Sequence, residues 1–366
     1  MKSKSKEPKP ISEFQLALNN FKRNRLAHFC VYLLLALYGM AVFADFLSPY
    51  SFENESRQYS YSPPTPIHII HEGKMTAPFV YGIEFHYDEN RKRVFEMDKT
   101  QKFPIQLFQT GDEYKLFGVI PCRYHFFGVP EPGRMYLMGA DSRGRDLFSR
   151  ILYGARVSLS IGLIGVLISF SIGLLVGGIA GYYGGGIDNI LMRICEMFML
   201  VPGFYLLLAL RAAVPDDFNS VQVYFAIVII LSFIGWASLA RIIRGMCLSL
   251  REREYVLAAK AIGLSDLAII LKHILPHTLS YSIFAVMLSI PGYILGESAL
   301  SLIGLGIQDP YASWGNLLSD AMSIVRIKFA PWILWPAFFI FLTVICFNII
   351  GDALRDSLDP MLKKAA

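Results

Sequence analysis

Five stretches of this chain, roughly 27–47, 157–180, 222–240, 278–297 and 331–351, each run about 20 residues with almost no charge, the length a helix needs to cross the hydrocarbon core of a bilayer. In lipid, a single segment satisfies all of its own backbone N–H and C=O groups only as an α-helix. The runs therefore predict an all-α polytopic membrane protein. A sixth stretch, roughly 190–210, carries Arg193 and Glu196 near one end and Pro202 in its middle. It too is expected to span, because the two charges are three residues apart and can pair on one helical face, and proline is tolerated where neighbouring helices satisfy the freed carbonyl. The composition agrees: 54% of the 366 residues are hydrophobic and 17% charged. The first run starts too late and is too long for a cleaved signal peptide. The five cysteines show no paired spacing and imply no disulfide framework.

Lys and Arg set the orientation. Seven lie in the tail 1–26, one in 181–193, six in 241–276 and three in 355–366, whereas the short loops 211–221 and 298–330 hold one and two. Seventeen against three places both termini in the cytosol. The net charge of +5 is thus explained by topology, and no nucleic-acid partner is expected. Arg143, Arg145, Arg150 and Arg156 cluster on the other side, just before the second span. The segment 143–156 is expected to lie along the outer interface, with Asp141 and Asp146 offsetting part of its charge.

Between the first two spans the composition changes. Residues 48–140 are rich in proline and in short alternating runs such as PFVYGIEFHY and YKLFGVIP, separated by turn-like HEGK and DENRK. This reads as a small external β-rich insert. Its histidines and cysteine (His68, His71, His86, Cys122, His125) have spacings a metal could use. Surface or packing roles are favoured, and no metal site is assigned.

The organisation is then a basic tail (1–26), a first span (27–47), an external domain (48–150) and a membrane domain (151–360) interrupted by a cytosolic loop at 251–276. That loop contains EYVLAAKAIGLSDLAIILKHILPHTL. Gly263 is suited to a left-handed helix C-cap, Ser265 and Asp266 to the start of the next helix, and Pro276 to the entry of the fifth span. Tyr255, Ala258, Ala259 and Ile262 share one face, and Leu267, Ile270, Leu271 and Ile274 another. On periodicity alone this is an amphipathic hairpin lying on the membrane, or a rigid knob that docks into a cytosolic partner.

The loop resembles the EAA loop of ATP-binding-cassette (ABC) importer permeases: Ala258, Ala259, Gly263, Leu275 and Pro276 fall at that motif's spacing. Leu257 stands where the family has Glu, with Glu254 three residues earlier, and His273 stands where it has Ile. The segments GADSRGRDLFSRILYGARVSLSIG, AGYYGGGIDNILMR, GESALSLIGLGIQDPYASWGNLL and FNIIGDALRDSLDP, in order over 139–360, resemble the oligopeptide, dipeptide and nickel permeases, above all their second, C-type subunit. The resemblance implies a six-span, non-enzymatic permease of the bacterial cytoplasmic (inner) membrane that binds no cofactor of its own. Its partners would be a homologous permease, two cytosolic ATPases that consume ATP and dock on the EAA loops, and an external substrate-binding protein. Oligopeptides or dipeptides would be the cargo, with nickel or another small solute as the alternative. The ATPase-coupling residues would be Leu257, Ala258, Ala259, Gly263, Leu275 and Pro276. An external enzyme or receptor in 48–140 is the reading from another class, but no clustered acid/base or nucleophile set appears there.

Three ionisable residues near lipid depth are candidates for the translocation path. Glu297 either meets a peptide amino terminus or caps the following turn through backbone amides. Glu196 either serves the path or pairs with Arg193. Arg211 either meets a carboxylate or snorkels to headgroups. Asp352, Arg355 and Asp356 share a helical face and are expected to form a local ion pair, joined by Arg244 or another basic residue of the EAA loop. Gly304 and Gly306 lack the Lys-Ser/Thr of a phosphate loop and suggest a tight re-entrant turn.

Overall fold

The computed structural model describes residues 20–71, 73–89, 93–215 and 217–358. The tips of HEGK and DENRK lie partly outside these residues. The bundle begins with α1 (Arg25–Val42), capped by the Asn24 side chain, which accepts from Ala27 N–H at 3.1 Å. The insert follows. β1 (His68–His71), β2 (Lys74–Tyr87) and β3 (Arg93–Pro104) form an antiparallel sheet in that order, and β4 (Gln106–Leu116) pairs with β5 (Ile120–Gly128) as a separate hairpin. Its small core gathers Val80, Val129 and Met135, with Phe103 and Phe127 against them.

The membrane part continues with α2 (Leu147–Tyr183), α3 (Gly185–Leu200), α4 (Gly203–Ala212), α5 (Ser220–Leu250), α6 (Glu254–Ala261), α7 (Leu275–Leu302) and α8 (Trp335–Leu358). Among the described residues, five helices are long and apolar enough to cross a membrane. The sixth stretch, expected as a span, is a bent pair: α3 and α4 meet at 87° and together are apolar enough to count as a sixth, broken span. The cause is local. Pro202 supplies no N–H and disfavours the helical region for the residue before it, and Val201 is extended at φ −81°, ψ 125°. A neighbour cannot repair a helix that has already turned.

A second correction concerns 143–156: its residues from Leu147 on are not a segment apart from the span but the first turns of α2 itself. Asp146 caps α2, its carboxylate accepting from Ser149 N–H at 2.8 Å, and the helix runs straight from Leu147 into the span. The arginines are drawn inward by carboxylates. Arg145 and Arg150 are buried against Asp141 and Asp309, and Arg156 pairs with Asp45 at 2.6 Å. Burial, with a smaller push from the Asp141 charge, outweighs the hydrogen bonds from Ser149 and Phe148 and raises the Asp146 carboxyl to about 7.

α2 and α5 pack closely because small residues line the seam. An added Cβ on Gly177 would meet the Ala240 carbonyl oxygen at 2.5 Å and the Ile243 Cβ at 2.8 Å, and one on Gly181 would meet the Cys247 Cβ at 2.5 Å. Gly173, Gly177 and Gly181 repeat every fourth residue on one face. Backbone approach of this kind drives helix association where lipid removes the hydrophobic incentive. Gly177→Val should therefore destabilise the subunit by about 1–3 kcal/mol, read as a lower unfolding midpoint in detergent, whereas Gly186→Val, where a Cβ meets nothing, should not.

At the far end of the bundle, Arg244 does not join the C-terminal acidic residues. Its guanidinium bonds Asp188 in the first turn of α3, Nε to Oδ1 at 2.9 Å, and Arg355 lies over the Phe284 ring at 5.8 Å.

Candidate functional site

Between α5 and α7 the chain forms a hairpin at the end of the bundle opposite the insert. α6 closes with a Schellman cap: Gly263 takes φ +83°, its N–H donates to the Lys260 carbonyl at 3.0 Å, and Leu264 N–H donates to the Ala259 carbonyl at 3.2 Å. Ser265 occupies the next N-cap position with extended backbone but makes no side-chain cap bond. Asp266 instead accepts from the Tyr182 hydroxyl at 2.7 Å, tying the turn to the last turn of α2. The backbone then passes through a π turn at Ile270–Ile274 before α7 starts, with Pro276 in its first turn.

That π turn rearranges the expected faces. Its wider turn spaces the buried positions five apart, Ile269 with Ile274 and Ile270 with Leu275, beside Val256 and Ala259, and leaves Leu267 and Leu271 outside. The inner set packs on Ile243 and Cys247. Leu257, Ile262, Leu264, Leu267 and Leu271 are exposed, Ile262 at 79%, and Ala258 and Pro276 are exposed beside them. These side chains make one exposed apolar face on a rigidly capped hairpin.

Within the bundle, a cavity of about 460 Å³ lies among α2, α4, α5 and α7. Its walls are apolar, including Phe170 and Phe204, with hydroxyls from Ser169, Ser238, Ser289 and Tyr293. Ser169 Oγ donates to the Ser232 carbonyl at 2.6 Å and also bonds Tyr293 Oη. The sequence reading missed these residues. The recoverable signal is the spacing Ser289, Gly292 and Gly296 on one face of α7, which leaves room beside a serine.

Glu297, Glu196 and Arg211 do not line this cavity. Glu297 is fully buried one residue past it. It caps no backbone amide; its carboxylate accepts from Ser158 Oγ at 3.1 Å and Ser301 Oγ at 2.6 Å. Ser158 Oγ also accepts from Trp314 N–H at 3.1 Å, so the acid joins α2, α7 and the following loop. Glu196 accepts from Arg193 at 2.7 Å with Arg241 nearby at 3.7 Å. Arg211 is buried rather than snorkelling, and its Nε donates to the Leu305 carbonyl at 2.5 Å. Gly304, at φ +81°, forms the turn that presents that carbonyl. In the insert, both ring nitrogens of His125 are taken by the carbonyls of Ser48 and Asp112.

The chain is thus a bundle of apolar spans with a hydroxyl-rimmed cavity inside it and an exposed apolar hairpin at one end. Residues 173–364 match the family described as the inner-membrane component of binding-protein-dependent transport systems, and residues 12–64 match the N-terminal membrane domain of oligopeptide transport permease C. The chain belongs to this family of ABC-importer permeases, which are transporters and not enzymes. It is similar to the dipeptide transport system permease protein DppC of Bacillus subtilis, with 41% identity over 64% of this chain and 71% of that one. The oligopeptide transport system permease protein OppC of Haemophilus influenzae is 43% identical over 65% and 70% of the two chains. The glutathione transport system permease protein GsiD of Pectobacterium atrosepticum is 41% identical over 63% and 75%.

Proposed function

We propose that this subunit imports oligopeptides or dipeptides across the cytoplasmic membrane, with both termini in the cytosol and the 251–276 hairpin seated in a cytosolic ATPase. The observation that carries the coupling role is the exposed apolar face of that hairpin, from Leu257 to Leu271, on a turn fixed by Gly263 and anchored to α2 through Asp266. Leu257, Ala258 and Gly263 lie on or beside the exposed side, Ala259 and Leu275 hold the hairpin to the bundle, and Pro276 starts the span that moves with it. A homologous permease would complete the path, a second ATPase would serve that permease, and an external binding protein would deliver the cargo.

Peptide cargo is supported by the names of the relatives and by the cavity's chemistry. The hydroxyls spaced along the cavity's apolar walls already bond within the chain, and their remaining lone pairs would accept from peptide N–H groups without selecting side chains. An unchelated metal ion would call for carboxylate, imidazole or thiol ligands, and the described lining offers none. Glu297, Glu196 and Arg211 would act on the path by holding its walls rather than by touching cargo.

The test is uptake in cells lacking the gene and in cells complemented with it. Labelled di- to pentapeptides should accumulate only in the complemented cells and only while ATP is supplied. Equal peptide uptake in both strains, together with nickel or sugar uptake restored by the gene, would reverse the cargo assignment.

A further inference from the structure

Where α1 gives way to the insert, the β4–β5 hairpin turns at Leu116–Phe117–Gly118–Val119. Both central residues are left-handed, Phe117 at φ 53° and Gly118 at φ 74°, the signature of a type I′ turn. The first central position of such a turn ordinarily takes Asn, Asp or Gly, and a bulky L-residue there is strained. The tip nonetheless reads LFGVI, five apolar residues in a row. Phe117, Val119 and Ile120 are 54%, 78% and 56% exposed, so burial within this chain does not account for them.

One contact indicates what does. The Phe117 ring meets Phe43 edge-on at 5.6 Å. Phe43 is the C-cap of α1 and follows Val42, and both are about half exposed at the end of the first apolar helix. The depth is set by Arg156, which donates to the Ala41 and Val42 carbonyls and pairs with Asp45, an arrangement suited to the headgroup layer. The hairpin tip thus extends the apolar surface of α1 at the membrane boundary. Its turn N–H groups are already paired, Gly118 to Lys115 and Val119 to Leu116, so little bare backbone enters lipid.

We propose that residues 116–120 are an interfacial membrane anchor, with Phe117, Val119 and Ile120 among the upper acyl chains beside α1 and Lys115 at the lipid phosphates. The left-handed Phe117 is held there because the turn aims its ring into the leaflet. The anchor fixes the insert's position over the bundle, leaving the β1–β3 sheet free to meet other proteins.

The full-length transporter in lipid nanodiscs tests this. Val119→Cys in a Cys122→Ser background carries an environment-sensitive fluorophore, the other four cysteines being buried; Met75→Cys, 83% exposed on β2, gives the aqueous reference. The Val119 label should emit to the blue of the reference, be quenched several-fold more by lipids bearing a nitroxide high on the acyl chain, and resist iodide. Adding Phe117→Asn, which suits the turn better and so preserves folding, should raise iodide quenching several-fold. Equal iodide quenching at both labels, or protection that appears only when a binding protein is added, overturns the proposal, the second outcome assigning the tip to a protein partner.

Discussion

Gly263→Pro should lower ATP-driven uptake by at least tenfold while leaving the amount of membrane-inserted subunit nearly unchanged. Proline fixes φ near −65°, whereas residue 263 sits at +83°, and the substitution also deletes the N–H that bonds Lys260. The Schellman cap cannot form, so α6 and the chain after it lose their fixed angle. The bundle is spared because nothing lies within 4 Å of a Cβ placed at Gly263; the loss is one of conformation, not packing. Gly263→Ala should fall between, since it costs about 1–2 kcal/mol of left-handed strain but keeps the hydrogen bond. Quantifying uptake, ATPase activity and co-purified ATPase on the same membranes separates coupling from assembly. Normal uptake by the proline variant would remove the hairpin from the coupling role.

The second large effect belongs to the opposite end. Arg145→Ala should destabilise the subunit by about 3–5 kcal/mol, the range for breaking a buried ion pair from one side. Arg145 is 4% exposed and bridges two carboxylates, Nε to Asp141 at 2.7 Å and Nη1 to Asp309 at 3.0 Å. Removing it leaves Asp141 buried with only the longer 3.6 Å contact to Arg150 among its charged partners. Arg145→Lys should recover only part, because an ammonium cannot hold both carboxylates in the same fork. Thermal unfolding of the purified transporter reads the order wild type, Lys, Ala.

Acid should dissolve the same latch. Burial raises the Asp309 carboxyl, but the hydrogen bonds and charges of Arg145 and Arg150 outweigh it and hold the group below the usual carboxylate range. A depressed folded value means stabilisation that is complete above the unfolded value of about 3.9 and disappears as pH falls through the lower folded one. The stability gap between wild type and Asp309→Asn should therefore be flat near neutrality and close below about pH 4. A gap that widened in acid would show that Asp309 stabilises the latch in its protonated form.

Much of the bundle was legible because hydrophobic run length is a local property that needs no partner. Gly263 and Pro276 were legible for the same reason: a left-handed cap and a first-turn proline are each fixed by one residue's backbone chemistry. What stayed hidden depended on distance along the chain. Arg145 and Arg150 find Asp309 more than 150 residues away, so from sequence alone they resembled interfacial charges. The faces of the hairpin were misassigned because a regular 3.6-residue count cannot foresee the π turn at 270–274. Pro202 was visible, but its outcome depended on whether Val201 stayed helical, and it did not.

The two ends of the molecule discussed above are joined by one unbroken helix. α2 has 37 residues, about 55 Å at 1.5 Å per residue, well beyond the roughly 30 Å of hydrocarbon it crosses. Its first turn carries Arg150 of the ion cluster and its last carries Tyr182, bonded to the hairpin's Asp266. Such a helix acts as a lever: a tilt of about 5° imposed at the inner end displaces the outer end by about 5 Å over that length. If an ATPase seats on the hairpin as proposed, its push reaches the far end of the bundle in one step, with no relay of loops between.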